Sequence, residues 1–363
     1  MSVECGIIGL AKSGKTTIFN ALTKGKASTE SLTPNIGIAK VPEPRLKMLA
    51  NMLHPKRVVS AEARYIDIGA SVKGMAKEQA IGGQLLNRLS TVEALINVVR
   101  AFTDDRIPHP EGSIDVERDI ATIDLELAFS DLALIERRLE RINTSLKGAK
   151  QTERQGLLRE QELLNKIKAD LEKELPIREQ KLTPDEAKTI ASYQFLSAKP
   201  LLILVNIGED QLPQAASLEA ELNSRYLQPK CRLITLCGKL EMELAQLANS
   251  DAEGFRTELG IKESGLDRTI KASYELLGLI TFFTIASEEV KAWPIQNGTT
   301  ALNAAGKIHS DMERGFIRAE VISYNDLVKC GSLAEARRKG LLRLEGKNYI
   351  VQDGDVITFL FNI

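Results

Sequence analysis

The chain has 363 residues, 43% apolar and 27% charged, a length that exceeds one ordinary core and sets an expectation of two or three domains. Its 48 Lys plus Arg against 49 Asp plus Glu exclude the global basic field of a dedicated nucleic-acid binder, so any such contact must come from a local patch. Four cysteines (Cys5, Cys231, Cys237, Cys330) form no C-x-x-C pair and only three histidines accompany them, so a zinc site is not expected and a reducing compartment is.

Strand-like sequence starts almost at Met1, leaving no room for a signal peptide, and no apolar run approaches membrane-spanning length; a cytoplasmic protein without membrane contact is expected. The first strand, Cys5–Leu10, runs into "GLAKSGKTT" (9–17), which fits the phosphate-loop pattern G-x-x-x-x-G-K-[ST]. Gly9 and Gly14 permit a backbone path whose N–H groups point inward at phosphate oxygens, across Lys12 and Ser13. The helix over Thr16–Leu22, with Thr17 in its first turn, turns its positive end to the same anion. Lys15 reaches the outer phosphates, and the Thr16 hydroxyl suits Mg²⁺.

Further strands follow at Glu62–Ile66, ending at Asp67, and at Ala94–Phe102, apolar enough to be buried on both faces. Asp67 suits the carboxylate that orients Mg²⁺. Next, Leu132, Ile135, Leu139, Ile142 and Leu146 repeat at three-and-four spacing, and after a break at Lys147–Gln155 the stripe resumes with Leu157, Leu164, Ile167 and Leu171. Two such stripes read as an antiparallel helical hairpin inserted into the sheet domain. From Arg137 to Arg159 seven basic residues (Arg137, Arg138, Arg141, Lys147, Lys150, Arg154, Arg159) face two acidic ones, Glu140 and Glu153. The cluster is either a solvated face or an anion-binding tip.

The strands Pro200–Asn206 and Cys231–Leu236 return to the earlier style, so the fold class is α/β with a mostly parallel, doubly wound sheet. "NIGE" (206–209) resembles the base-recognition motif N-K-x-D of GTPases with Ile207 for the Lys and Glu209 for the Asp, which does not obviously supply guanine recognition. Cys237, Gly238 and Lys239 fall where a loop would close over the base. From about Ile280, short alternating strands ("EVKAWPIQ", "GFIRAEVIS", "LLRLE", "NYIVQDGDVITFLF") indicate a small mixed domain, with Asp353-Gly354 read as a hairpin turn and a helix-permissive stretch at Thr300–Ala305. The expected division is 1–120 with 200–279 for the nucleotide-binding domain, 121–199 for the arm and 280–363 for the small domain.

On these residues the whole chain resembles the YchF family, the Obg-like ATPases among translation-factor-related P-loop GTPases. "DIGASVKGM" (67–75) is similar to the family's D-I-A-G-L-V-K-G-A, and "SLTPNIGIAKVPEPRL", "VVRAFTDDRIPH" and "AAGKIHSDMERGFIRAEVISY" match as well. The resemblance implies a P-loop NTPase domain, an inserted coiled-coil arm and a C-terminal TGS domain of β-grasp fold. It further implies an N-x-x-E base motif with ATP preferred over GTP, and action on ribosomes in translation or stress regulation. The family's loop reads N-V-G-K-S where this chain has Lys12, Ser13, Gly14, Lys15 and Thr16; the switch glycine of D-x-x-G is Ala70, followed by Ser71, and two further glycines are replaced by Glu78 and Ala80. The switch threonine that reaches Mg²⁺ aligns with Ser31.

The resemblance therefore implies ATP or ADP with Mg²⁺ as ligands, Lys15, Thr16 and Asp67 as the catalytic set, and the ribosome or its RNA as partner. Lys12 stands where many potassium-activated P-loop GTPases place an Asn; its ammonium either stands in for a monovalent cation or points to solvent. Nothing calls for an oligomer, so a monomer is expected. A slow ATPase switch is the leading reading. A pseudo-ATPase scaffold that holds nucleotide without turnover is the alternative, and a metabolic kinase is disfavoured for want of an acceptor domain or lid.

Overall fold

The structure, a computed structural model, describes residues 3–27, 34–68, 81–226, 228–286 and 288–362, with the side chains of 81–84 and 249 outside that description. The chain opens with β1 (Val3–Ile8), α1 (Lys15–Thr23), β2 (Asn35–Lys40), α2 (Pro44–Leu53), β3 (Arg57–Val59), β4 (Glu62–Asp67), α3 (Ile81–Thr91) and β5 (Ala94–Arg100). Then come α4 (Val116–Ser145), α5 (Gln151–Leu171), α6 (Pro184–Ile190), β6 (Leu201–Asn206), α7 (Ala215–Tyr226), β7 (Cys231–Leu236), α8 (Gly238–Leu244), α9 (Asn249–Glu258) and α10 (Gly265–Leu276). Residues 4–37 and 65–269 form one compact unit; 1–3, 38–64 and 270–363 form another. The cut differs from the division expected from sequence, since 38–64 and 270–279 group with the C-terminal residues.

Of a six-stranded sheet ordered β2-β4-β1-β5-β6-β7, the first unit carries β1 from Glu4 onward, β5, β6 and β7, together with residues 35–37 of β2 and 65–67 of β4. β1, β5, β6 and β7 pair in parallel, and every residue of β5 ("ALINVVR") and β6 ("LLILVN") is buried. Such unbroken apolar runs suit strands covered on both faces, which is why parallel pairing wins here. The strand ends Ile8, Asp67 and Asn206 carry the loops that matter below.

Between β5 and β6 the chain leaves the sheet as a helical hairpin. α4 starts at Asp115, whose side chain accepts from the Arg118 N–H, with Glu117 and Asp119 in the first turn favourable to the helix dipole. At 30 residues it is about 45 Å long. Ile120, Ile123 and Leu127 pack into the sheet core, whereas Ile135 and Ile142 pack with Leu164, Ile167 and Leu171 of α5, so one helix joins two cores. All nine stripe leucines and isoleucines read from sequence fall in this second cluster or against it. α5 begins at Gln151, so the link is shorter than the break inferred at Lys147–Gln155.

The second unit adds β8 (Leu279–Ile285), β9 (Glu289–Gln296), α11 (Ala301–Ile308), β10 (Phe316–Ser323), β11 (Arg343–Glu345) and β12 (Asp355–Phe361), in a sheet ordered β11-β10-β12-β8-β9-β3. Ala301, Ala304 and Ala305 of α11 lie against Phe282, Val321 and Phe359. β12 pairs antiparallel with β10 and parallel with β8. The Asp353-Gly354 reading needs correction. The turn exists, with Gly354 at φ 85°, but it does not join a hairpin: Ile350 bridges Thr300 instead, and the Asp353 carboxylate accepts the Thr281 N–H at 2.9 Å. Strand partners distant in sequence are stronger here than the local turn signal.

Candidate nucleotide-binding site

The loop between β1 and α1 has the shape its glycines allow. Gly9 sits at φ +147°, where an added Cβ would lie 2.4 Å from the Val98 carbonyl oxygen, and Gly14 at φ +96°, where one would lie 2.3 Å from Asn206 Nδ2. Between them Lys12 adopts φ 62° and is exposed, while Ser13 is buried. Gly14 is the N-cap of α1, which has no side-chain cap and no acid in its first turn. The amides at this helix start are therefore left for an anion.

Lys15 is buried at 6% exposure, its Nζ donating to the Gly9 and Leu10 carbonyls at 3.2 and 2.9 Å. Burial pushes its pKa down to about 8, against the upward pull of Asp67. A buried ammonium with so little compensating charge favours a nearby anion. The Thr16 hydroxyl donates to Asp67 Oδ2 at 2.8 Å, whereas Asp67 Oδ1 is buried without a hydrogen-bond partner. Thr17 follows on α1, half-buried.

Asn206, at the end of β6, joins three loops. Its Nδ2 donates to the Ser13 carbonyl at 3.0 Å, and its Oδ1 accepts the Gly238 N–H at 2.9 Å. Ile207 is buried and its N–H donates to Leu236 O at 3.0 Å, anchoring the motif to β7. Gly238 is tight, since a Cβ would lie 3.0 Å from Asn206 Oδ1 and 3.1 Å from Ile18. Cys237 precedes α8, its thiol buried and pushed up in pKa by that burial. Glu209 and Lys239 are exposed and pair with each other at 2.9 Å. Ser31, Ala70, Ser71, Glu78 and Ala80 lie outside the described residues.

Sequence reading missed the residues behind the loop. Asn97 is the lone uncharged polar residue in the apolar run of β5, and both its side-chain polar atoms are buried without hydrogen-bond partners. That isolated Asn was the available signal. His109, also unremarked, has a buried side chain that accepts the Glu111 N–H on Nδ1 and sets Nε2 2.9 Å from Asp119, which Arg118 also contacts.

At the arm, Arg138 is spoken for: its Nε and Nη2 each reach a Glu160 carboxylate oxygen at 2.8 Å. The other six basic residues of the tip are exposed.

A parallel sheet with a phosphate loop between β1 and α1, and an Asn-led base loop after β6, defines a P-loop nucleoside triphosphatase. Comparison with known proteins narrows the class. The chain is 41% identical to the Ribosome-binding ATPase YchF of Bacillus subtilis and 37% identical to that of Escherichia coli O157:H7, each alignment covering 100% of both chains. The solved structure of the Schizosaccharomyces pombe YchF GTPase matches with a TM-score of 0.85 at 30% identity, over 99% of this chain and 98% of that one. Residues 279–362 match the family model YchF-GTPase_C, described as a protein of unknown function (DUF933). The chain belongs to the YchF family. Among the described residues, no helix is long and apolar enough to cross a membrane.

Proposed function

We infer that the protein binds ATP at the Gly9–Thr17 loop and hydrolyses it slowly, as a ribosome-associated regulator in the reducing cytoplasm. The observation that carries this reading is the buried Lys15–Thr16–Asp67 set, in which the Lys15 ammonium is held at the loop by the Gly9 and Leu10 carbonyls and Asp67 Oδ1 lacks a hydrogen-bond partner. The oxygen donors fit Mg²⁺. Thr16 would ligate it directly and Asp67 would hold its water, with Ser31 as the switch ligand; when bound, the ion neutralises phosphate charge. Among the described residues no cluster of three or more His, Cys, Asp or Glu could hold a metal unaided, so phosphate and water would complete the shell.

The relatives' names divide between ATPase and GTPase. The base loop favours ATP: Ile207 is buried where a GTPase would use a Lys, and the Glu209 carboxylate is tied to Lys239 instead of being free for guanine. Titration calorimetry with ATP, ADP, GTP and GDP tests this, and GDP binding tighter than ADP would overturn it. Ribosome binding, named for the bacterial relatives, extends to this chain through its whole-length identity and the basic arm tip.

One sequence feature favours the second reading, a nucleotide-holding scaffold: Ala70 replaces the switch glycine and no Gln or His follows to orient a water. Single-turnover ATP hydrolysis is expected well below one per minute, on the order of unassisted switch GTPases. Ala70→Gly should raise it. No detectable turnover in either protein would establish the scaffold.

A further inference from the structure

Behind the phosphate loop lies a crevice too narrow for a water molecule, walled by Ser13, by Asn97 and Arg100 of β5, and by Asp119 and Ile123 of α4. Four buried polar atoms around it have no hydrogen-bond partner: Ser13 Oγ, Asn97 Nδ2, Asn97 Oδ1 and Arg100 Nη1. Ser13 and Asn97 are 2% and 1% exposed, so bulk water does not serve them. Buried donors and acceptors left unpaired are costly, and such a cluster calls for an explanation.

We propose that Asn97 is a positioning residue of the phosphate loop, acting through Ser13. A small movement of the loop onto a nucleotide's phosphates lets the Ser13 hydroxyl pair with the Asn97 amide, and Arg100 Nη1 offers a further donor into the same crevice. The family's N-V-G-K-S pattern has an apolar Val at the position of Ser13, which asks for no partner there, whereas the Ser13 hydroxyl does. Ser13 is also the residue whose carbonyl Asn206 already holds at 3.0 Å. With that pairing made, Ser13 is held through its carbonyl by Asn206 and through its hydroxyl by Asn97, and its neighbours Gly14 and Lys15 carry the groups aimed at phosphate. Asn97 sets loop geometry without touching nucleotide.

The inference rests on nucleotide binding at this loop, and a double-mutant cycle separates the two. Ser13→Val, Asn97→Leu and the double variant are compared by calorimetric titration with ATP and ADP, and by thermal unfolding. Each single change strands a polar partner and should weaken ATP binding about fivefold. The double change removes three of the four unpartnered atoms, leaving Arg100 Nη1, and should return affinity to within about twofold of the unmodified protein. Ser13→Ala replaces Ser13→Val in the cycle if Val unfolds the loop, and the coupling in ATP affinity should exceed any coupling seen in thermal unfolding. Losses of affinity that simply add would overturn the proposal while leaving nucleotide binding intact. Failure of the unmodified protein to bind any nucleotide would remove both.

Discussion

Gly9 and Gly14 carry the same residue type for different reasons. At Gly14 the obstacle to a side chain is Asn206 Nδ2, the tip of a side chain, together with φ +96°. Gly14→Ala should cost about 1–2 kcal/mol of stability from the left-handed backbone, because Asn206 can swing away. Swinging away breaks its bond to the Ser13 carbonyl, so ATP affinity should fall far more than stability does. At Gly9 the obstacle is the Val98 carbonyl, main chain of a central strand that cannot move without distorting the sheet. Gly9→Ala should therefore destabilise the fold more than Gly14→Ala. Urea unfolding of the two variants alongside ATP titration checks the order, and equal stability losses would contradict it. This site was legible in its order along the chain, from loop to Asp67 to Asn206. The motif did not reveal that both ends of the Asn206 amide are engaged with protein groups, since those partners come from loops 193 and 32 residues away.

The arm is held to the sheet by a buried acid. Asp131 on α4 accepts the Leu196 and Ser197 N–H groups at 2.9 and 2.8 Å, tying the helix to the segment that leads into β6. Burial pushes its pKa up to about 6, against those hydrogen bonds and the charge of Lys199. A carboxyl raised in the folded state stabilises when protonated: its contribution is present below the unfolded value of 3.8 and is lost as pH rises through about 6. Relative to Asp131→Asn, the unmodified protein should gain on the order of 2 kcal/mol when pH falls from about 7.5 to about 4.5. Urea unfolding of both proteins at the two pH values measures it, and a constant difference would mean Asp131 titrates normally. At the other end of the arm, charge reversal should avoid Arg138, whose pairing with Glu160 holds α4 to α5. Arg137, Arg141, Lys147 and Lys150 are exposed, and changing them to Glu should weaken ribosome co-sedimentation at low salt and flatten its salt dependence. Unaltered co-sedimentation would make the tip a solvated face. The hairpin was legible because its stripe repeats locally; the pairing of Arg138, one of the seven basic residues counted at the tip, was not, because its partner lies 22 residues on, across the pair of helices.

At the scale of the whole chain, the assignment of 38–64 was the part that sequence texture could not supply. β3 is three residues long, and its register partners Glu289–Lys291 lie more than two hundred positions away, so no local period announces the pairing. The structure nonetheless builds that segment into the second unit. Arg45 donates to Asp353 from Nη1 at 2.7 Å and Nη2 at 3.2 Å, to Glu43 from Nη2 at 2.7 Å, and lies 5.5 Å from the centre of the Phe283 ring. Arg57 faces Glu289 at 3.3 Å, and Lys56 pairs with Glu288. These ion pairs are partly exposed, so each is worth little alone; Arg45 combines two carboxylates with a ring, and Arg45→Ala should cost about 1–2 kcal/mol. It follows that residues 270–363, produced without 38–64, should lack an edge strand on β9 and leave Asp353 without its guanidinium. Such a fragment is expected to unfold with low cooperativity and to aggregate through the bared β9 edge. Supplying 38–64 as a separate peptide should bind it and sharpen the transition. A fragment that melts cooperatively by itself, unaffected by the peptide, would show that the C-terminal residues are a self-sufficient module and that 38–64 merely rests against them.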